Sequence, residues 1–451
     1  MTRIRVLAAL AAVLVAIGLV QLSAARASAT ALAPTPVVAG NHLIDTRTGE
    51  TFVPHGANWP SFEYACVQGW GYSQDEESAS QNVEAAAMES WGINTVRVPL
   101  NEDCWLGSDP HVYGSEAGYR AAVAQWVSIL NAHGMVVVLD LHFSAPPGQH
   151  ATGQWPMPDS QSPAFWTSVA SAYANDPSVI FDAFNEPYSI WNNATNSYAF
   201  QLTWDCWENG GCTAPYVGTD QTPITGSGAG SYAVVGMSAL VAAIRAGGAQ
   251  QPIMLGGIDY SNDLSGWLSH KPDDSQLIAS WHNYQGQSPC GDTEACWTSE
   301  AGSVASVVPV VVGETGETDG GSSFVTAFTN WADGDGIGYL PWAWWDASQT
   351  SGDDALYALY SGPSFAPHAP VGTVYKAHLA ALAAQNAAKA FRIQPAPLSA
   401  PGFGSSASPL GTPGGVHSPP AAAGPVATMA LATSDLPAAL MEQRYLRVGV
   451  P

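Results

Sequence analysis

From residue 52 to residue 385, short apolar runs alternate with longer amphipathic ones. The short runs are Phe52–Asn58, Ile93–Pro99, Met135–Leu141, Val179–Phe184, Pro252–Gly257, Leu277–Trp281, Val308–Gly313 and Ile337–Trp342. They are rich in β-branched residues and apolar on both alternating positions. That pattern predicts strands buried on both faces, as in a parallel sheet. Helical spacing marks Ser80–Trp91, Glu116–His133, Pro163–Asn175, Ser231–Ala246, Asn262–Ser269, Thr293–Ser303, Ser322–Asp333 and Val371–Gln385. Gly134 is a stop signal for the second of these helices. Alternating strands and helices predict right-handed parallel crossovers. Eight such units predict a (β/α)8 TIM barrel with enlarged βα loops. A doubly wound open sheet is the structural alternative, but the glycine-rich phosphate turn it usually carries is not visible after the first strand.

The remaining segments frame a barrel of residues 41–385. Asn41–Val53 predicts an N-terminal hairpin with Thr48-Gly49 in its turn, after a Pro/Ala-rich lead-in over 30–40. A long insert runs from Pro187 to about Gly230. Residues 1–29 predict a secretory signal: Arg3 and Arg5, an apolar run Val6–Val20, and small-residue cleavage sites at Ala25–Ala27 and Ala27–Ala29. An uncleaved anchor is the alternative. Residues 386–451 are dominated by Pro, Ala, Gly and Ser and predict a disordered tail, with one possible short helix over Leu436–Val450.

Composition narrows the partners. The chain carries 13 basic and 37 acidic residues, a net charge of −24. Removing the signal leaves ten basic residues and a net −27. That excludes nucleic acid and anionic membranes as partners, since both need clustered cations. A neutral ligand is unaffected, and the 17 Trp and 16 Tyr suit a carbohydrate. Export makes disulfides plausible for the six cysteines. Spacing favours Cys206–Cys212 and Cys290–Cys296 as loop staples, which leaves Cys66–Cys104. No CxxC pair occurs, which weakens a zinc site.

Two strands end in the same way. Val179–Phe184 runs into Asn185-Glu186-Pro187, and Val308–Gly313 runs into Glu314. Each presents a carboxylate at the C-terminal end of a barrel strand, where active sites sit. Paired carboxylates there point to glycoside hydrolysis, one as acid and one as nucleophile. An ion pair or a helix cap is the alternative for either alone, but with only 13 basic residues in the chain an ion-pair role for both is disfavoured. Arg97, His142, His282 and Tyr284 stand at three other strand ends, in RVP, DLH and HNY. Trp342 and Trp344 end the eighth strand and Trp59 the first, and all three are candidates for the substrate cleft. Trp155, Tyr188, Trp191 and Trp207 are candidate outer platforms, with loop packing the alternative for each. Glu317 lies past its strand end and is set aside.

In order, RVP, DLH, NEP, HNY, GETG and the strand-eight Trp resemble glycoside hydrolase family five, the large cellulase-type family. The resemblance covers roughly residues 40–385. It implies a barrel that cleaves β-glycosidic bonds with retention, without metal or organic cofactor. It implies Glu186 as general acid/base, Glu314 as nucleophile, and Asn185 as the ligand of the hydroxyl beside the anomeric centre. Arg97 and Tyr284 would support the nucleophile, His142 and His282 would line the central subsite, and Trp342 would stack on the sugar. The expectation is a secreted, monomeric endo-β-1,4-glucanase acting on a β-linked glucan. A β-mannanase or an exo-β-glucosidase on the same barrel remains open, because specificity lives in the loops. A non-catalytic carbohydrate-binding barrel is the alternative from another class. Neither G-x-S-x-G nor H-E-x-x-H occurs.

Overall fold

A computed structural model describes residues 33–287 and 290–393. The expected signal segment (1–29), the end of the chain (394–451) and its short helix lie outside the described residues. The described residues up to Leu382 form one compact unit.

Eight parallel strands neighbour one another in chain order: Gly56–Asn58, Thr95–Asn101, Val136–Phe143, Val179–Asp182, Ile253–Gly256, Leu277–Tyr284, Val310–Gly316 and Gly338–Pro341. The eighth returns to the first through a parallel bridge between His55 and Tyr339. The Tyr339 amide donates to the Pro54 carbonyl at 2.9 Å beside it. The predicted barrel is therefore formed. Glycine is required at the start of the first strand, because a Cβ at Gly56 would lie 1.8 Å from the Thr95 carbonyl oxygen.

Predicted helices occupy the crossovers, among them Ser78–Trp91, Glu116–Ala132, Ser162–Tyr173 and Ser323–Asp335, but of the expected Asn262–Ser269 only the part within Trp267–His270 is helical. Ser115 caps the second by accepting from the Gly118 amide, and Gly92 ends the first in a left-handed conformation. Their apolar faces bury Trp91, Trp126 and Trp166 against the strands.

Several boundaries differ from expectation. Phe52 belongs to the N-terminal sheet, which has three antiparallel strands, Pro36–Ala39, His42–Asp45 and Thr51–Phe52. Pro36–Ala39 falls in the supposed lead-in, whose composition hid it. The reason for this sheet is a second core. Leu43 and Phe52 pack on Val136, Val138, Ile180, Met254, Ile278, Val311 and Leu340, so the sheet closes the N-terminal end of the barrel. The final helix runs to Ile393, past the predicted start of the tail. Ser231–Ala233 is a strand paired with Thr213–Pro215, and the helix begins only at Met237. A short helix, Glu102–Leu106, was not foreseen; Asn101 caps it by accepting from the Cys104 amide. The disulfides Cys66–Cys104, Cys206–Cys212 and Cys290–Cys296 match the pairing read from spacing.

Candidate active site

Arg97 is the hub at the C-terminal end of the barrel. It sits mid-strand in Thr95–Asn101 with its side chain fully buried. A buried guanidinium needs partners for all its donors. Nε donates to Asp182 Oδ2 at 2.9 Å. Nη1 donates to Asn58 Oδ1 at 2.9 Å and to Glu314 Oε1 at 2.7 Å. Nη2 donates to Asn185 Oδ1 at 2.8 Å and lies 3.0 Å from Asp140 Oδ2. Strands one, three, four and seven thus meet on a side chain from strand two. Burial opposes the arginine's charge, but Asp140, Asp182 and Glu314 outweigh it and raise its pKa.

Glu314 is held on both oxygens. Arg97 takes Oε1, and the Tyr284 hydroxyl donates to Oε2 at 2.7 Å. The sixth and seventh strands shift register beside His282, which then pairs with Glu314. Gly313 makes this possible, since a Cβ there would lie 2.7 Å from His282 Nε2.

Glu186 faces it from the end of strand four. Its backbone is left-handed, with φ of 49°, which is costly for a non-glycine residue and frequent at functional sites. His282 Nδ1 lies 3.0 Å from Glu186 Oε1 and 3.7 Å from Glu314 Oε2. One ligand atom from each of the three residues lies within 4.8 Å of the other two. Burial raises the Glu186 pKa above its ordinary value, and a hydrogen bond from Gln154 opposes this. Burial also lowers His282 and His142 to about 4, so both imidazoles are neutral near pH 7.

The other predicted residues divide by burial. Asn185 is buried, and its Oδ1 is taken by Arg97. Its Nδ2 has no partner among the described residues, which leaves a donor for a ligand hydroxyl. His142 binds Asp140 through Nδ1 at 2.7 Å and stacks on Trp342, with ring centroids 5.5 Å apart. Trp342 is half-buried and keeps part of its surface toward solvent.

Trp59 and Trp344 were expected at the cleft, and Trp155, Tyr188 and Trp207 as outer platforms or loop packing, but all five are buried and offer no ring face to a sugar. Trp59 Nε1 donates to Glu84 on the first helix at 2.9 Å. Trp344 packs edge-on against Trp91. Trp207 Nε1, from the insert, donates to the Gly256 carbonyl at 2.9 Å. Trp155 packs on Tyr216 and Tyr232, and Tyr188 stacks on Tyr260. Trp191, by contrast, is 47% exposed beside Tyr198 on a hairpin of the insert. Glu317 is a helix cap, with Oε2 accepting from the Val325 amide at 3.0 Å.

Sequence reasoning missed Asn58, Asp140, Asp182 and Gln154. Two of these carried a signal. Asp140 and Asp182 interrupt otherwise apolar buried strands, and a charge there must be paired. Asn58 and Gln154 carried none. Away from the site, Asp109 binds His111 Nδ1 at 2.8 Å and His150 Nδ1 at 2.6 Å, tying together the loops after strands two and three.

Comparison with known proteins points the same way. The family model for cellulase (glycosyl hydrolase family 5) matches residues 47–348. A curated relative, the endoglucanase MaCel5A of Microbulbifer sp. (strain ALW1), is 26% identical over 149 residues. That match covers 33% of this chain and only 24% of that protein. Among solved structures, the β-glucanase SdGluc5_26A of Saccharophagus degradans is 19% identical with a TM-score of 0.56, covering 78% of this chain and 94% of its own. A hyperthermophilic endocellulase from the archaeon Pyrococcus horikoshii is 16% identical with a TM-score of 0.55, covering 78% and 100%. At these identities the two structures speak to the fold.

Proposed function

The chain belongs to the cellulases of glycosyl hydrolase family 5, and from that premise we propose that it is a secreted, retaining endo-β-1,4-glucanase. The observation that carries the proposal is the placement of Glu186 and Glu314, with carboxylate oxygens within 4.8 Å of each other. Retaining glycosidases hold their carboxyl groups about 5–5.5 Å apart, whereas inverting ones leave room for a water at roughly 6.5–9.5 Å.

In the first step Glu314 attacks the anomeric carbon as the bond to the leaving oxygen breaks. Glu186 delivers its proton to that oxygen. In the second step Glu186 takes a proton from water, and the water oxygen displaces Glu314 from the anomeric carbon. Arg97 and Tyr284 keep Glu314 oriented through their two bonds. Burial favours the protonated form of Glu186 that the first step needs. Asn185 Nδ2 serves the hydroxyl beside the anomeric centre, and Trp342 forms the floor under the sugar.

The substrate assignment draws on the relatives' names, an endoglucanase and a β-glucanase, the latter also solved in complex with cellotetraose. Among the described residues no helix is long and apolar enough to cross a membrane. Secretion rests on the N-terminal sequence pattern, and we take the protein to act as a monomer.

The test is Glu314→Gln, assayed on carboxymethylcellulose, mixed-linkage glucan, mannan and aryl glycosides, with product stereochemistry followed by NMR. The expected results are lost turnover in a folded variant, and wild-type products that retain the β configuration. Near-wild-type turnover by Glu314→Gln, or α-configured wild-type products, would overturn the mechanism. Hydrolysis of mannan alone would overturn the substrate.

A further inference from the structure

Glu186 Oε2 has a partner that the reaction does not itself require. Gln154, in the loop after strand three, donates to it from Nε2 at 2.9 Å. Gln154 Oε1 in turn accepts from Gln221 Nε2 at 2.7 Å. Gln221 Oε1 accepts from the Tyr260 hydroxyl at 2.9 Å. Gln221 belongs to the insert, and Tyr260 to the loop after strand five. The three side chains form one line of hydrogen bonds from Tyr260 to Glu186, and every donor points toward the carboxylate.

The line is anchored at Gln154 and at Tyr260. The Tyr188 hydroxyl donates to the Gln154 carbonyl at 3.1 Å, and the Tyr188 ring stacks on Tyr260 at 4.9 Å with an interplanar angle of 4°. The Tyr260 amide donates to the Pro187 carbonyl, one residue after Glu186. Gln221 and Tyr260 both have φ of 60°, the left-handed region that is costly for side chains larger than glycine. Two loops thus hold strained backbone at the positions that support the line.

We propose that Gln154, fixed by Gln221 of the insert and by Tyr260, is a positioning residue that sets the orientation and proton affinity of the acid/base Glu186. The inference rests on the function proposed above and deepens it. Donors aligned head to tail polarise one another and stabilise the ionised carboxylate. The insert therefore acts on proton transfer, beyond any contact it makes with substrate. Other charged or titratable groups also face Glu186: His282 at 3.0 Å, Glu314 with an oxygen within 4.8 Å, and, through their fields, His142 and Arg97. Glu186 in turn bears on Asp140, Tyr260 and Tyr284. None of these groups is removed in the variants below except the Tyr260 hydroxyl.

The test uses Gln154→Ala, Gln221→Ala and Tyr260→Phe in the full chain. The Glu186 pKa is read by carbon NMR of labelled carboxyl groups, with Glu186→Gln identifying the signal. The alkaline limb of kcat/KM on a soluble β-glucan is read in parallel. Loss of the Gln154 donor should raise the Glu186 pKa by on the order of one unit and carry the alkaline limb upward with it. Gln221→Ala and Tyr260→Phe should move both in the same direction by a smaller amount. A merely structural role would lower kcat without moving either. A downward shift for Gln154→Ala, or no shift for Gln221→Ala and Tyr260→Phe, overturns the proposal. Because the NMR titration needs no turnover, a protein inactive on β-glucans would refute the proposed function and leave this test intact.

Discussion

Replacing Arg97 with methionine removes the hub and keeps much of the side chain's apolar stem. Contacts to Asn58, Asp140, Asp182, Asn185 and Glu314 are lost together. Three of the five partners are carboxyl groups, and the arginine is fully buried, so solvent screens little of the loss. A single hydrogen bond to a charged group contributes roughly 1.5–3 kcal/mol. The five share one cation and do not add; stranding buried charges by deleting their partner costs about 3–5 kcal/mol. We therefore expect the unfolding free energy to fall by ~4 kcal/mol near pH 8, measured by guanidinium denaturation. The cost should depend on pH. Burial already pushes Asp140 up to about 7 and Asp182 up to about 6, while Arg97 pulls both down. Without Arg97 both rise further. A carboxyl whose folded pKa lies above its unfolded one favours folding at low pH, and that stability is lost as pH rises through the folded value. The variant should thus recover part of its deficit near pH 5, where both groups hold their protons. An equal deficit at the two pH values, or one below about 1 kcal/mol, would refute the reading of Arg97 as the charge that balances this cluster.

The tryptophans give a second test. Trp344→Ala should cost about 3–5 kcal/mol of stability, because it empties a fully buried site. Trp342→Ala should leave folding nearly intact and weaken oligosaccharide binding by on the order of 1 kcal/mol, read as a raised KM. The disulfides give a third, through loop length. Cys66–Cys104 spans 38 residues and Cys206–Cys212 spans 6, so chain entropy predicts losses of about 4 and about 2 kcal/mol when each pair is replaced by serine. Equal losses in thermal unfolding would contradict that ranking.

What the sequence made legible depends on which constraint wrote it. Strands such as Val136–Phe143 and Val310–Gly316 must be apolar on both faces, so they stand out as unbroken runs. Their polar ends stand out for the same reason, and this is how Glu186, Glu314, His142 and His282 could be named. Pro36–Ala39 had no such mark, because it is a short strand whose side chains are mostly half-buried or exposed. The loop aromatics had none either. Trp59 and Trp155 lie in irregular segments and Trp207 in the six-residue helix Trp204–Asn209, all too short or irregular for a period to tell a buried face from an exposed one, and tertiary contacts with Glu84, Tyr216 and Gly256 decide. Gln154 illustrates the limit most sharply. Its role exists only because the loop after strand three, the insert and the loop after strand five converge, and nothing local to residue 154 encodes that.

The two glutamates are held by different kinds of structure, and the difference follows from what each must do in the proposed reaction. Glu314 is gripped by scaffold: Arg97 and Tyr284 both lie on barrel strands, and both donate to it. A nucleophile needs one orientation, and rigid strands supply it. Glu186 must lose and regain a proton in every turnover, so a fixed positive partner would bind its ionised form too well to release it. Its contacts are a neutral imidazole and a neutral amide, His282 and Gln154. Neutral partners shift the equilibrium modestly where an arginine would fix it. The amide is in turn set by loops, the part of a barrel most free to vary without loss of the fold. The chemistry of the nucleophile is therefore written in the strands, and the tuning of the acid is written in the insert that begins at Pro187.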